Sequence, residues 1–161
     1  MPLTLSSPAF ADGGEIPEAY TRDGKNVSPP LKWAGVPDGT KSLVLVVQDP
    51  DAPSGMFGHW GVFNISPEVQ ELPEAESGRP GPQALRQARN DFGNAYYDGP
   101  EPPVGHGVHH YHFRLAALDT PNLAIPASTG VERIWQEAQK HLLEQAELVG
   151  TYERGRQLKA D

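Results

Sequence analysis

Cysteine is absent from the 161 residues. Disulfides, thiolate metal sites and cysteine nucleophiles are therefore excluded. No apolar run approaches the ~20 residues that a membrane-crossing helix needs. The opening residues, Met1-Pro2-Leu3-Thr4-Leu5-Ser6-Ser7-Pro8, lack the basic and apolar segments of a signal peptide. Cations are scarce, with 13 Lys and Arg against 21 Asp and Glu and a formal net charge of −8. Nucleic acid and anionic membranes are poor partners for such a field. A cytoplasmic, soluble protein without a transmembrane segment or cofactor is expected.

Glycine and proline, by contrast, are plentiful, at 17 each. Turns must be frequent, which favours a β-rich architecture. The length suits one domain over residues 1–161, large enough to bury a core without covalent staples. Ser42 to Gln48 is a continuous aliphatic run and reads as a strand buried on both faces, ending at Asp49. His59 to Ser66 reads as a second strand, with Gly61, Phe63 and Ile65 on the side of His59. In a third, His109 to Asp119, His109, Tyr111, Phe113, Leu115 and Ala117 share one face. His110, His112 and Arg114 take the other, away from any pocket. Leu3 to Leu5 and Trp33 suggest short strands, and a short helix is expected near Pro82 to Ala88. Thr129 and Glu132 form a T-x-x-E capping box. Val131, Ile134, Trp135, Ala138, Leu142, Ala146 and Val149 then predict one long closing helix, with Gly150 past its end.

Two segments carry the candidate chemistry. Asp49-Pro50-Asp51-Ala52-Pro53 is followed by His59, and Gly99-Pro100-Glu101-Pro102-Pro103 leads through Gly105-His106-Gly107 to His109 and Tyr111. Each joins a stiff proline turn to a histidine at a strand mouth. Asp49 is assigned to a pocket and Asp51 to its support, though a strand-end carboxylate is often only a turn residue. His59 and His109 supply imidazoles. Tyr111 is either plain core or a hydroxyl donor to an oxyanion. Glu101, Pro102 and Pro103 form a rigid wall, because proline fixes φ and removes amide donors. His106, in a glycine-flanked loop, is placed to close over the mouth. Imidazolium and phenol donors beside a carboxylate suit a small anion, a phosphate group above all, with affinity falling as pH rises past the histidine range.

These motifs resemble those of the phosphatidylethanolamine-binding protein family, in its bacterial and archaeal Raf-kinase-inhibitor-like branch. Asp49, Asp51, Ala52, Pro53 and His59 match its D-P-D-A-P segment and histidine strand. Gly99, Pro102, Pro103, Gly105, His109 and Tyr111 match its G-x-x-P-P-x-G-x-x-x-H-x-Y segment. Residues 24–33, 90–93 and 146–152 are similar too. The resemblance implies a mainly β fold, an antiparallel Greek-key β-sandwich with peripheral α-helices. It implies an anion pocket formed by Asp49, Ala52, Pro53, His59, Glu101, Pro102, Pro103, His109 and Tyr111, with Asp51, Gly99 and Gly105 in support. Its guest would be phosphate or a phosphoethanolamine-like headgroup. A homodimer is expected, and some eukaryotic members restrain kinases, so a regulatory protein partner is a further expectation. Here the second motif reads His109-His110-Tyr111 where eukaryotic members have His-Arg-Tyr.

Two readings with turnover use the same residues. A Ser-His-Asp hydrolase would combine Ser54 with His59 or His109 and Asp49, although no G-x-S-x-G elbow is present. A metal-dependent one would hold zinc or iron on His59, His109 and Asp49. The binding reading is the leading one, without catalytic residues or a bound metal.

Overall fold

The computed structural model describes residues 2–126 and 128–155. It is mainly β, built from two antiparallel sheets. Strands β1 (Thr4–Ser6), β2 (Leu31–Ala34) and β5 (Glu71–Leu72) form the small sheet, in the order β1-β2-β5. The large sheet contains β3 (Ser42–Asp49), β4 (Phe57–Ile65), β6 (Arg86–Gln87), β7 (His109–Leu118) and β8 (Leu142–Tyr152), in the order β6-β4-β3-β7-β8. Helix α1 (Val131–Gln139) lies on the outer face of the large sheet.

The layers follow from side-chain alternation. Strand β3 is central and buried at every position, so both its faces are apolar. Leu43, Leu45 and Val47 point into the sandwich, where they meet Phe113 and Leu115 of β7 and Leu5, Leu31 and Trp33 of the small sheet. Val44 and Val46 point the other way, against Val131, Ile134 and Ala138 of the helix. Removing such apolar surface from water stabilises by about 25 cal/mol per Å². Strand β7 behaves as read from its sequence, with Tyr111, Phe113, Leu115 and Ala117 on the sandwich side. Asp49 closes β3 on the same side as Val47, and His109 opens β7 on the same side as Tyr111.

The closing segment differs from the sequence expectation. The helix stops at Gln139, and Leu142–Tyr152 is the longest strand, paired with β7 along nearly its whole length. Its inward residues run at period two, through Glu144, Ala146, Leu148 and Gly150, while Leu142, beyond a register shift, packs on the helix side. Leu142, Ala146 and Val149 coincide with helical spacing only by accident. The capping box is absent as well. Gly130 is the N-cap with no side-chain bond, and the Thr129 hydroxyl donates to the Pro126 carbonyl at 2.6 Å. No helix forms near Pro82 to Ala88. Arg86–Gln87 pairs with Val62 and Phe63 of β4 instead. Among the described residues α1 is the one α-helix, with 3-10 turns at Glu18–Tyr20 and Glu76–Gly78. No helix among them is long and apolar enough to cross a membrane.

Strand β4 carries a correction that matters for the site. Val47 pairs with Trp60 and Gln48 with Gly58, so His59 is the extra residue of a bulge. A bulge re-aims the side chain that it carries. Beyond it, Gly61 and Phe63 face the helix, while Ile65 returns to the sandwich past Asn64, whose φ is +56°. His59 therefore does not share a face with Gly61 and Phe63.

Candidate functional site

The strand ends at one edge of the sandwich enclose a cavity of about 240 Å³. Asp49, Ala52, Pro53, Ser54, Phe57, His59, Phe92, Glu101, Pro102, Pro103, His109 and Tyr111 line it. All nine residues proposed as direct ligand contacts are thus brought together. Asp51, Gly99 and Gly105 are not among the lining residues. Phe57 and Phe92 were not foreseen as lining residues, although Phe92 lies in the Asn90-Asp91-Phe92-Gly93 segment singled out in the sequence.

Asp49, His59, His109 and Tyr111 are all at most 3% exposed. Asp49 accepts the Asp51 amide on Oδ1 at 2.8 Å and His109 Nδ1–H on Oδ2 at 2.7 Å. A carboxylate can only accept, so this bond fixes the proton on Nδ1 of His109. The other nitrogen, Nε2, lies 2.6 Å from Nδ1 of His106. His59 is oriented differently. Its Nδ1–H donates to the Asp98 carbonyl at 2.8 Å. Burial holds the His59 pKa below the ordinary imidazole range, against the opposing pull of that carbonyl and of the Asp49, Asp98 and Asp91 charges. The ring is neutral, and its Nε2 is a lone-pair acceptor.

Tyr111 packs edge-on to His59, with ring centroids 5.2 Å apart. Burial, then the Asp49 charge, raises its pKa well above the ordinary phenol range. Its hydroxyl keeps its proton and is a donor. Phe57, His59 and Phe92 form an aromatic cluster, with Phe57 and Phe92 at 4.8 Å and Phe57 and His59 at 5.0 Å. One side of the cavity is therefore polar and the other is aromatic and proline-rich.

The wall is braced from behind by a buried carboxylate. Asp98 accepts Arg22, Asn26, Asn90 and Asn94 at 3.2, 2.9, 2.9 and 2.9 Å. Asn26 Oδ1 takes the Gly99 amide at 2.7 Å, and the Arg22 amide donates to the Pro100 carbonyl at 3.0 Å. A Cβ at Gly99 would run into the Tyr20 carbonyl, so that position has to be glycine. Arg22 also pairs with Glu101 at 3.3 Å and lies 4.4 Å above the Phe92 ring. A cation thus contacts two lining residues, although neither sequence motif contains one. Phe92 itself is set by Asn90, whose side-chain oxygen accepts its amide at 2.9 Å, and by Asp91, which accepts the Gly58 amide at 2.7 Å.

Asp51 supports the turn through the neighbouring strand. It accepts both the His110 amide at 2.7 Å and the His110 ring at 2.8 Å. Burial works to raise its pKa, and the His110 bonds outweigh that and lower it. Ser54 is exposed on the rim. No hydrogen bond joins its hydroxyl to either imidazole among the described residues. There too, no group of three or more His, Asp or Glu is arranged to hold a metal ion.

Comparison with known proteins supplies the family. Residues 6–153 match the model of the family described as phosphatidylethanolamine-binding protein. The chain belongs to that family. A UPF0098 protein of Methanothermobacter thermautotrophicus is 46% identical over 155 residues, covering 95% of this chain and all of that one. A UPF0098 protein of Aquifex aeolicus is 43% identical over 152 residues, covering 94% and 89%. Among solved structures, Escherichia coli YbcL, described as a member of the mammalian PEBP family, superposes with a TM-score of 0.88. It is 33% identical and covers 95% of this chain and 99% of its own. Membership of the phosphatidylethanolamine-binding protein family and a mainly β fold are therefore established together, and the relatives are bacterial and archaeal.

Proposed function

We propose that the cavity binds the phosphate head of a small ligand, with an adjoining apolar or cationic substituent against Phe57, Phe92 and the proline wall. The carrying observation is the split of hydrogen-bonding roles among the buried polar groups. The Tyr111 hydroxyl donates to an anionic oxygen. His109 offers Nε2, which becomes a second donor when the ring is charged. His59 presents a lone pair, which asks for a hydrogen from the guest. A phosphate that keeps one proton, or a phosphate with an ammonium nearby, offers both oxygens that accept and a hydrogen to donate. Phosphoethanolamine has that pattern. The proposed protein works in the cytoplasm as a homodimer, an assembly that sedimentation of the purified chain reports. Control of a protein partner by the loaded or empty pocket completes the reading.

Calorimetric titration with phosphoethanolamine and inorganic phosphate tests this. Saturable binding, weakened in Tyr111→Phe and His109→Ala, is the expected result. Binding that ignores both changes contradicts it. The hydrolytic alternative uses the same Asp49–His109 pair with Ser54 as nucleophile. Ester turnover abolished by Ser54→Ala would favour it; the binding reading expects Ser54→Ala to leave affinity within about twofold.

A further inference from the structure

The most unusual contact at the site is the one between two histidines. His106 Nδ1 sits 2.6 Å from His109 Nε2, with ring centroids 4.9 Å apart. Asp49 already holds the other nitrogen of His109. The result is a chain from Asp49 through His109 to His106, and it consumes the nitrogen that the proposed guest would use. His109 is 1% exposed, whereas His106 is exposed at the surface. The inner ring is held by Asp49, and the outer one lies at the surface.

Glycines set the loop around His106. Gly105 and Gly107 flank it with φ of +80° and +96°, conformations that L side chains rarely adopt. The loop is tied down at its first residues, where the His106 amide donates to the Pro103 carbonyl at 3.1 Å and the Gly105 amide to the Arg154 carbonyl at 3.1 Å. The tethers hold the backbone near the rim, and among the described residues the ring's one hydrogen-bond partner is His109.

We propose that His106 is an internal latch that occupies His109 Nε2 in the free protein and must be displaced when a phosphate group binds. This rests on the binding reading above and adds a specificity residue to it. A guest must offer a better partner for Nε2 than a histidine does. When His109 is charged its Nε2–H donates, and an oxyanion then accepts better than a histidine nitrogen does, whereas neutral esters or alcohols accept poorly, because bonds to charged groups are stronger.

The latch is also limited by proton count. The contact needs one hydrogen between the two nitrogens. When both rings are charged, each nitrogen carries a hydrogen, no acceptor remains, and the two cations repel. Acid therefore opens the latch and at the same time adds positive charge for the anion. The other ionisable groups around the pair are Asp49 and Asp51 from the end of β3, His59 from β4, Tyr111 from β7, Glu101 from the wall, and Arg154 after β8, itself paired with Asp23 at 3.0 Å. The acids favour the doubly charged state and Arg154 opposes it.

The test uses His106→Ala, which removes ring and bond, and His106→Phe, which keeps a ring without the bond. Inorganic phosphate is titrated into each and into the unaltered protein. At pH 7.5 both variants should bind roughly two- to tenfold tighter, the range of one net hydrogen bond. At pH 5.5 the advantage should shrink toward none. Equal or weaker binding of phosphate by His106→Ala at pH 7.5 overturns the latch alone and leaves the pocket reading standing. His106→Phe behaving like the unaltered protein, while His106→Ala binds tighter, assigns the block to bulk and overturns the hydrogen-bond latch. Phosphate binding by none of the proteins overturns the pocket reading and the latch with it.

Discussion

Strand β7 places the same chemistry on both faces of one sheet. Inward, His109 bonds Asp49 at 2.7 Å with side chains 2% and 4% exposed. Outward, His110 bonds Asp51 and His112 bonds Glu147, each at 2.8 Å and open to water on at least one side. Geometry barely distinguishes the three pairs. Burial does. In water an imidazole–carboxylate pair contributes little, because solvent screens it and ordering two side chains costs entropy. Inside, each unmade bond carries the full cost of desolvation. The inner pair must be satisfied, and its orientation is fixed in consequence. That fixed orientation is what makes a binding site out of residues that elsewhere are only surface.

The largest contrast should come from binding. His109→Ala should weaken phosphate affinity by roughly ten- to a hundredfold, the range for a hydrogen bond to a charged group. His110→Ala should change it by less than about twofold. Equal effects in calorimetry would erase the distinction between the faces.

Stability should separate them next. Asp49→Ala leaves Nδ1–H of a buried imidazole and the Asp51 amide without their acceptor. Chemical denaturation should show a loss of about 1–3 kcal/mol. Glu147→Ala on the outer face removes partners from His112 and Arg114, and the loss should stay below about 1 kcal/mol.

Acid should act on the two faces in different windows. Burial lowers the folded-state pKa of His59, so the unfolded chain takes up its proton first. His59 therefore contributes full stability above its unfolded value of about 6.5, and that contribution falls as pH drops below it. His59→Asn keeps a side-chain N–H for the Asp98 carbonyl and removes the titration. Thermal melts from pH 7 to pH 5 should be flatter in that variant. Asp51 and Glu147 are lowered as well, burial notwithstanding, by their histidine and arginine bonds. Their contribution is present above the unfolded carboxylate values of about 3.9 and 4.3 and is lost only as pH falls below those. Glu147→Gln should thus lower the melts by a near-constant amount above pH 5 and leave the slope of their pH dependence there unchanged.

How much of this was legible in the sequence follows from the same physics. Strands β3 and β7 are readable because each face is uniform. Leu43 to Val47 is apolar throughout, and His109 to Leu115 alternates strictly between buried and more open positions. Nine of the twelve lining residues were legible because both proline segments lead straight into strands and match the family's two motifs. Leu142 to Val149 was not, since Leu142, Ala146 and Val149 fall at helical spacing although they do not share one face of the strand. What decides is the edge of β7, whose unpaired amides and carbonyls take β8 as a partner. That long-range term has no local signature. The bulge at His59 was invisible for a similar reason, as was the approach of Arg22 and Phe92, which come from loops far away in sequence. The His106–His109 contact was half visible. Glycine on both sides of His106 announced a mobile loop at the mouth, but not its partner nitrogen.

Carbon-detected NMR of the histidine rings during titration with inorganic phosphate addresses the central claim most directly. The chain has six histidines, and the two faces of β7 report separately. Saturable shifts at His59, His109 and His106, with His110 and His112 still, are the predicted result. Shifts confined to His110 and His112, or no saturable shift at all, would contradict the account.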